Sequence, residues 1–303
     1  MIVQNHRAMA AFAVVVALLA AAAAAVGVFA RGDGSYETVT SVRGVTYAMA
    51  TSGVYAYNAQ RVVSEGVGWD VFTLFVAVPA MVASAAFVVR GSFRGRLLAL
   101  GLFGYFFYQY LEYAMTWAFG PLFPLFILIF AAGLAGLGWF GVSIARDGIA
   151  DRFGDDFPGR PFAIVSVSMA ALLAVMWSGR IAAGLGGDLE AAGLHGETTL
   201  VVQALDLGLV VPIALFIAAL AWRRTAAGQV LASIYVVTSV AMSAAIVAML
   251  ISAGIVEGAF ELPPILIFGA YLAATLVLAV RMYRPISTET SRAPEGGLRW
   301  LPK

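Results

Sequence analysis

No cysteine occurs in these 303 residues. A disulfide framework, thiolate catalysis and cysteine-ligated metal are therefore excluded. There are two histidines, His6 and His195, and both stand outside the long apolar runs. That placement argues against a haem held by histidines from within membrane helices. The single lysine is Lys303. A retinal Schiff base needs a lysine amine inside a helix, so a rhodopsin-type photoreceptor is argued against as well, and no cofactor is expected. Charged residues make up 12% of the chain and the formal net charge is +1. Such a balance gives no reason to expect nucleic acid as a partner.

Apolar residues are abundant instead. The chain is 62% hydrophobic, with a mean hydropathy of +0.92, well outside soluble composition. A membrane span needs about 20 apolar residues. Eight stretches qualify: Met9–Ala30, Val71–Val89, Leu97–Phe119, Leu122–Ala145, Phe162–Leu185, Thr198–Ala221, Val230–Ile251 and Leu262–Val280. Lipid cannot satisfy free backbone groups, and continuous apolar runs of this length point to helices rather than barrel strands. The expected fold is all-α: a polytopic bundle of eight transmembrane helices in a lipid bilayer.

The arginines orient it. Arg7, Arg90, Arg94, Arg96, Arg146, Arg152, Arg160, Arg223, Arg224, Arg281, Arg284, Arg292, Arg299 and Lys303 fall on one face. The other face has Arg31, Arg43 and Arg61, with Arg180 near a span end, and gathers Asp33, Glu37, Glu65, Asp188, Glu190, Glu197, Glu257 and Glu261. By the positive-inside rule both termini are cytoplasmic, as in a prokaryotic cell membrane protein. The first run, ending Val28-Phe29-Ala30, also reads as a signal peptide; its removal would leave seven spans. The outer loop 31–69 carries Tyr36, Tyr47, Tyr55, Tyr57 and Trp69. Aromatic anchoring in the headgroup zone is the expected role, and a lid over an outer vestibule is the alternative.

Shifting the chain by 133 residues brings two segments into agreement. "VPAMVASAAFVVRGSFRGRLLA" falls on "VPIALFIAALAWRRTAAGQVLA", with Pro79 on Pro212, Arg90 on Arg223, Gly95 on Gly228 and Ser92 on Thr225. Both copies run in the same sense, which predicts a parallel duplication of a four-helix unit. The expected organisation is a first half at 1–145, a cytoplasmic linker at 146–161, a second half at 162–284 and a cytoplasmic tail at 285–303. Pro79 and Pro212 stand within spans, where each removes a backbone hydrogen bond and kinks its helix.

Ionisable residues inside spans are costly and are functional candidates by default. Glu112, Arg180 and Asp206 qualify, and Asp70 stands at an outer span end. All lie in the expected outer half. Tyr105, Tyr108, Gln109 and Glu112 share one helix stripe, flanked by Tyr110 and Tyr113. Thr199, Gln203 and Asp206 form a second stripe, and Trp177 and Arg180 lie one turn apart on a third helix. One reading is a polar network that only fixes helix packing, with Arg180 paired to Glu112 or Asp206. The other is a site for a proton, metal cation or cationic solute, since one arginine cannot neutralise two acids.

Two loops carry further patterns. "ARDGIADRFGDDFPGRP" sets Asp147, Asp151, Asp155 and Asp156 at helical spacing, similar to the metal-holding aspartate clusters of membrane phosphotransferases. Ala150-Asp151 stands where that pattern has Ala-Arg, and a solvated charged loop is the expected reading. "RGSFRGR" is a compact basic turn that holds its loop inside and suits anionic headgroups.

The run from Asp70 through Pro79 to "RGSFRGRLLALGLFGYFFYQYLEY", the following "PLFPLF" and the later "VVQALDLGLVVPIAL" resemble a group of prokaryotic multi-pass membrane proteins with no established activity. The resemblance covers 68–128 and 199–232 and draws notice to Asp70, the tyrosine-rich helix and Asp206. The expected function is a small transporter or permease. Glu112 and Asp206 would bind the cation or proton, Arg180 would be their electrostatic partner, and Gln203, Gln109, Tyr108 and Tyr105 would orient the ligand. A receptor-like or assembly subunit is the alternative, and a membrane enzyme follows it.

Overall fold

A computed structural model describes residues 4–147 and 152–286. Asp151, the arginines beyond 286 and most of the expected tail lie outside the described residues. The chain is nearly all helix: α1 (His6–Phe29), β1 (Tyr36–Thr40), β2 (Thr46–Ala50), α2 (Gln60–Val89), α3 (Phe93–Thr116), α4 (Phe123–Arg146), α5 (Gly159–Leu185), α6 (Leu189–Ala192), α7 (Val201–Trp222), α8 (Ala226–Glu257) and α9 (Leu262–Tyr283).

Seven of these helices are long and apolar enough to cross a membrane: α1, α2, α4, α5, α7, α8 and α9. This chain is therefore a multi-pass helical membrane protein. The expected third span forms the 24-residue helix α3 but falls outside that set. The physical reason is its polar load of Tyr105, Tyr108, Gln109, Tyr110, Glu112 and Tyr113. Fifteen of its 24 residues are buried, so protein rather than lipid covers most of it. It packs on α2, α4 and α8, and α8 in turn packs on α2, α7 and α9. The two central helices α3 and α8 thus carry the core, in which Leu97, Phe103, Tyr105, Phe106 and Val236 are wholly buried.

The outer loop is more ordered than its sequence suggests. β1 and β2 form an antiparallel hairpin with Tyr36 opposite Ala50 and Thr40 opposite Thr46. α2 begins at Gln60, not near Val71, and its first turns carry an i, i+4 ion pair between Arg61 and Glu65 at 3.0 Å. The same guanidinium reaches Glu257 at 3.3 Å and Glu261 at 2.8 Å, tying α2 to the α8–α9 turn. At the opposite, arginine-rich end, Arg96 pairs with Asp147 and donates to Ser143 Oγ at 2.7 Å. Gln4 donates to Asp147 Oδ1 at 2.9 Å. Asp147 is therefore engaged in packing. Among the described residues, no group of three or more acidic or histidine side chains gathers as metal ligands.

The expected proline kinks take a specific form. Five residues of α2, Thr73–Ala77, and five of α7, Asp206–Val210, are wound as π turns immediately before Pro79 and Pro212. Val78 N–H reaches back to the Thr73 carbonyl and Val211 N–H to the Asp206 carbonyl. The wider turn lets the chain accommodate a residue that has no N–H and crowds the preceding turn.

These features recur at the 133-residue spacing (73 + 133 = 206; 93 + 133 = 226). α3 and α8 both start after a capping hydroxyl: Ser92 Oγ accepts from Gly95 N–H and Thr225 Oγ1 accepts from Gly228 N–H. The tight turn before each passes through a left-handed residue, Gly91 at φ 75° and Arg224 at φ 54°.

Candidate functional site

The candidate residues do not form one pocket. The polar arc of α3 spans about 140° at ~100° per residue and divides them between two sites. Tyr105, Gln109 and Tyr113 face α2, whereas Tyr108 turns to α7, with Glu112 between.

The first site centres on Asp70, which is 1% exposed. Tyr55 OH donates to Asp70 Oδ2 at 2.6 Å, and Tyr113 OH lies 3.4 Å from Oδ1 and 3.1 Å from the Gly66 carbonyl. Tyr105 OH and Thr73 Oγ1 are hydrogen-bonded at 2.6 Å, and Tyr110 OH donates to the Ala20 carbonyl at 3.1 Å. Gly27 of α1 closes the site. A Cβ there would fall 1.9 Å from Asp70 Oδ2, so only glycine allows this approach. Gln109 is buried here with neither amide atom hydrogen-bonded among the described residues.

The second site centres on Asp206, at the start of the α7 π turn. Tyr108 OH donates to its Oδ1, and Trp177 Nε1–H donates to Oδ2 at 2.7 Å. Gln203 is buried one turn earlier. Asp206 has no ion pair among the described residues. The sequence reading made Arg180 the partner of Glu112 or Asp206; the structure makes neither pair. Arg180 is exposed and its guanidinium lies 5.2 Å from the Trp177 ring centroid. Three residues past Trp177, its guanidinium comes against Gly193, while the indole N–H points to Asp206.

The charged groups that act on Glu112 are acids, namely Asp206, Glu65 and Glu197. Glu65 acts on Glu197 in turn, so the four carboxylates are linked electrostatically from the hairpin end to Asp206. At the upper end Glu197 is pushed up to about 7 by burial and by Glu65. His195 nearby is held below its ordinary value by burial and by Arg61 and Arg180. A polar cavity of about 280 Å³ opens beside them, lined by Tyr47, Gln60, Arg61, Ser64, His195 and Glu257. Tyr47 of the hairpin comes against Gly196, so hairpin and 193–197 loop meet over the site.

At the lower end Asp206 opens onto a second cavity of about 280 Å³ among α3, α5, α7, α8 and α9. Its walls include Tyr108, Leu173, Tyr235, Thr238, Met242 and Tyr271. Sequence reasoning missed the α8 and α9 contributions. The signal was present in the i, i+4, i+8 stripe Tyr235, Ser239, Ser243. It also missed Tyr55, which no local pattern links to Asp70. Comparison with protein-family models, curated proteins and solved structures finds no match.

Proposed function

We propose that this chain is a small membrane permease that takes a cation or cationic solute from the outer face through Glu112 to Asp206. The observation that carries the reading is the set of electrostatically linked acids Glu197, Glu65, Glu112 and Asp206, the last of which opens onto a cavity. Of these four acids Arg61 pairs only with Glu65. Acids left without a countercharge in low dielectric take up a proton or a cation, and ionisable residues at membrane depth mark such pathways.

In this reading α3 is an eighth span, shielded from lipid by its neighbours. The arginine-rich end faces the cytoplasm, with both termini there. The halves 1–145 and 162–284 are a parallel duplication joined by the linker 146–161, supported by the matched π turns, prolines and capped turns. The π turns give each half a locally irregular helix beside a polar group, as permease sites use broken helices.

A non-transporting subunit is the second reading, favoured by the Asp70 site, whose tyrosine hydrogen bonds and glycine contact hold helices together. Flux separates the two. In sealed proteoliposomes a permease dissipates an imposed gradient of its cation, and Glu112→Gln and Asp206→Asn each slow it on the order of tenfold or more. Binding without flux in the wild-type protein would leave the subunit reading.

A further inference from the structure

We infer that the cavity below Asp206 is built for an amphiphilic monocation, an ammonium head on a linear apolar body, rather than for an inorganic ion. This rests on the cation-binding reading of Asp206 and names its substrate class.

Among the described lining residues Asp206 is the single acid, and it stands at one end. From there the cavity follows α7 down to Ile217, 11 residues or ~16 Å at 1.5 Å per residue. Alongside α8 it runs from Leu231 to Ile246, ~22 Å by the same rise. Three hydroxyls on these walls are already occupied. Thr238 Oγ1 donates to the Gly101 carbonyl at 2.8 Å, Ser243 Oγ to the Ser239 carbonyl at 2.7 Å, and Tyr108 OH to Asp206. The Tyr271 hydroxyl lies beside that of Ser239. What remains for a ligand is one carboxylate, the Tyr235 hydroxyl and a long wall of Leu, Ile, Met, Val and aromatic side chains.

An alkali or divalent ion requires about six oxygen ligands, and the cavity does not gather them. An ammonium group needs one carboxylate and is also attracted by aromatic faces. Tyr108, Tyr235 and Tyr271 supply those within the cavity. Both Asp206 oxygens receive a neutral donor, Tyr108 O–H and Trp177 N–H. These fix the carboxylate and leave its negative charge, with free lone pairs, for the ligand. Few, well-placed polar groups in an apolar pocket are what orient a small molecule.

The test uses three probes on the purified full-length protein: octylamine, octanol and methylamine. Binding is followed by calorimetry and by tryptophan fluorescence, because Trp177 touches Asp206. We expect octylamine to bind at least about tenfold more tightly than octanol and on the order of 100-fold more tightly than methylamine, whose tail buries nothing. Asp206→Asn should lower octylamine to the level of octanol, and the octylamine-to-octanol ratio in the wild-type protein needs no variant. Methylamine binding as tightly as octylamine would overturn the inference and leave the cation-binding reading standing. Octanol binding as tightly as octylamine, with no methylamine binding, would overturn both. Failure of all three to bind, with inorganic cation flux intact, would overturn the inference alone.

Discussion

Thr73 and Asp206 occupy the same place in two helices, each opening a π turn six residues before a proline, 133 residues apart (206 − 73 = 133). Their chemistry differs. Thr73 is fully buried and its hydroxyl is hydrogen-bonded to Tyr105 OH. Asp206 carries its carboxylate to the edge of a cavity. One position ties helices together and the other faces a space a ligand can fill.

The two positions should respond differently to substitution. Thr73→Val leaves the Tyr105 hydroxyl buried without its partner, which costs about 1–3 kcal/mol. It should lower the melting temperature and leave cation binding unchanged. Asp206→Asn should do the reverse: a small change in stability and loss of the cation response. Thermal melts with and without ligand read both.

Arg180→Gln should alter cation flux by about threefold or less, because an exposed charge without a direct partner contributes little. Proteoliposome flux against pH checks this. A loss as deep as that of Asp206→Asn would restore Arg180 as a direct partner of the acids.

Gly27→Ala sets two opposing effects against each other. Alanine is favoured over glycine within a helix by up to ~1 kcal/mol. The new methyl would meet the Asp70 carboxylate at 1.9 Å and Tyr55 OH at 2.4 Å, and forced overpacking costs ~1–3 kcal/mol. Asp70 is held by its tyrosines and cannot retreat, so net destabilisation is expected. A raised melting temperature would show that the carboxylate moves freely.

Stability should fall between pH 4.5 and about 7 through Glu197. In the folded protein this carboxyl is raised from 4.5 to about 7. The native state therefore keeps a proton that the unfolded chain has already released, and stability declines as pH rises across that window. The contribution is fully present below 4.5 and gone above about 7. Glu197→Gln should flatten this part of the melting profile; an unchanged profile would place the carboxyl in open water.

Much of the architecture is legible in the sequence because bilayer thickness imposes a length on every apolar run. The seven apolar helices and the recurrence of Pro79 and Pro212 follow from such patterns. α3 blurs the count because a helix covered by protein need not be apolar all round. The tie between the start of α2 and the α8–α9 turn rests on Arg61 reaching Glu257 and Glu261, nearly 200 residues away in sequence. The division of the polar groups was hidden for a related reason. The helical stripe brings Tyr105, Tyr108, Gln109 and Glu112 to one arc, but neighbours on both sides decide which atom each meets. Arg180 illustrates the limit: its spacing suits a pairing with the acids, and its guanidinium instead lies near the Trp177 ring and Gly193.

The central claim is that Asp206 holds a cation inside the membrane. Its most direct measurement is the ligand-dependent melting temperature of the wild-type protein beside Asp206→Asn, across alkali cations and organic ammonium ions. The account predicts a rise in the wild-type protein that grows with ligand concentration, as mass action requires, and no rise in the variant. An equal rise in both proteins, or none in either while the variant melts far below wild type, would contradict it and leave Asp206 as a residue that only packs helices.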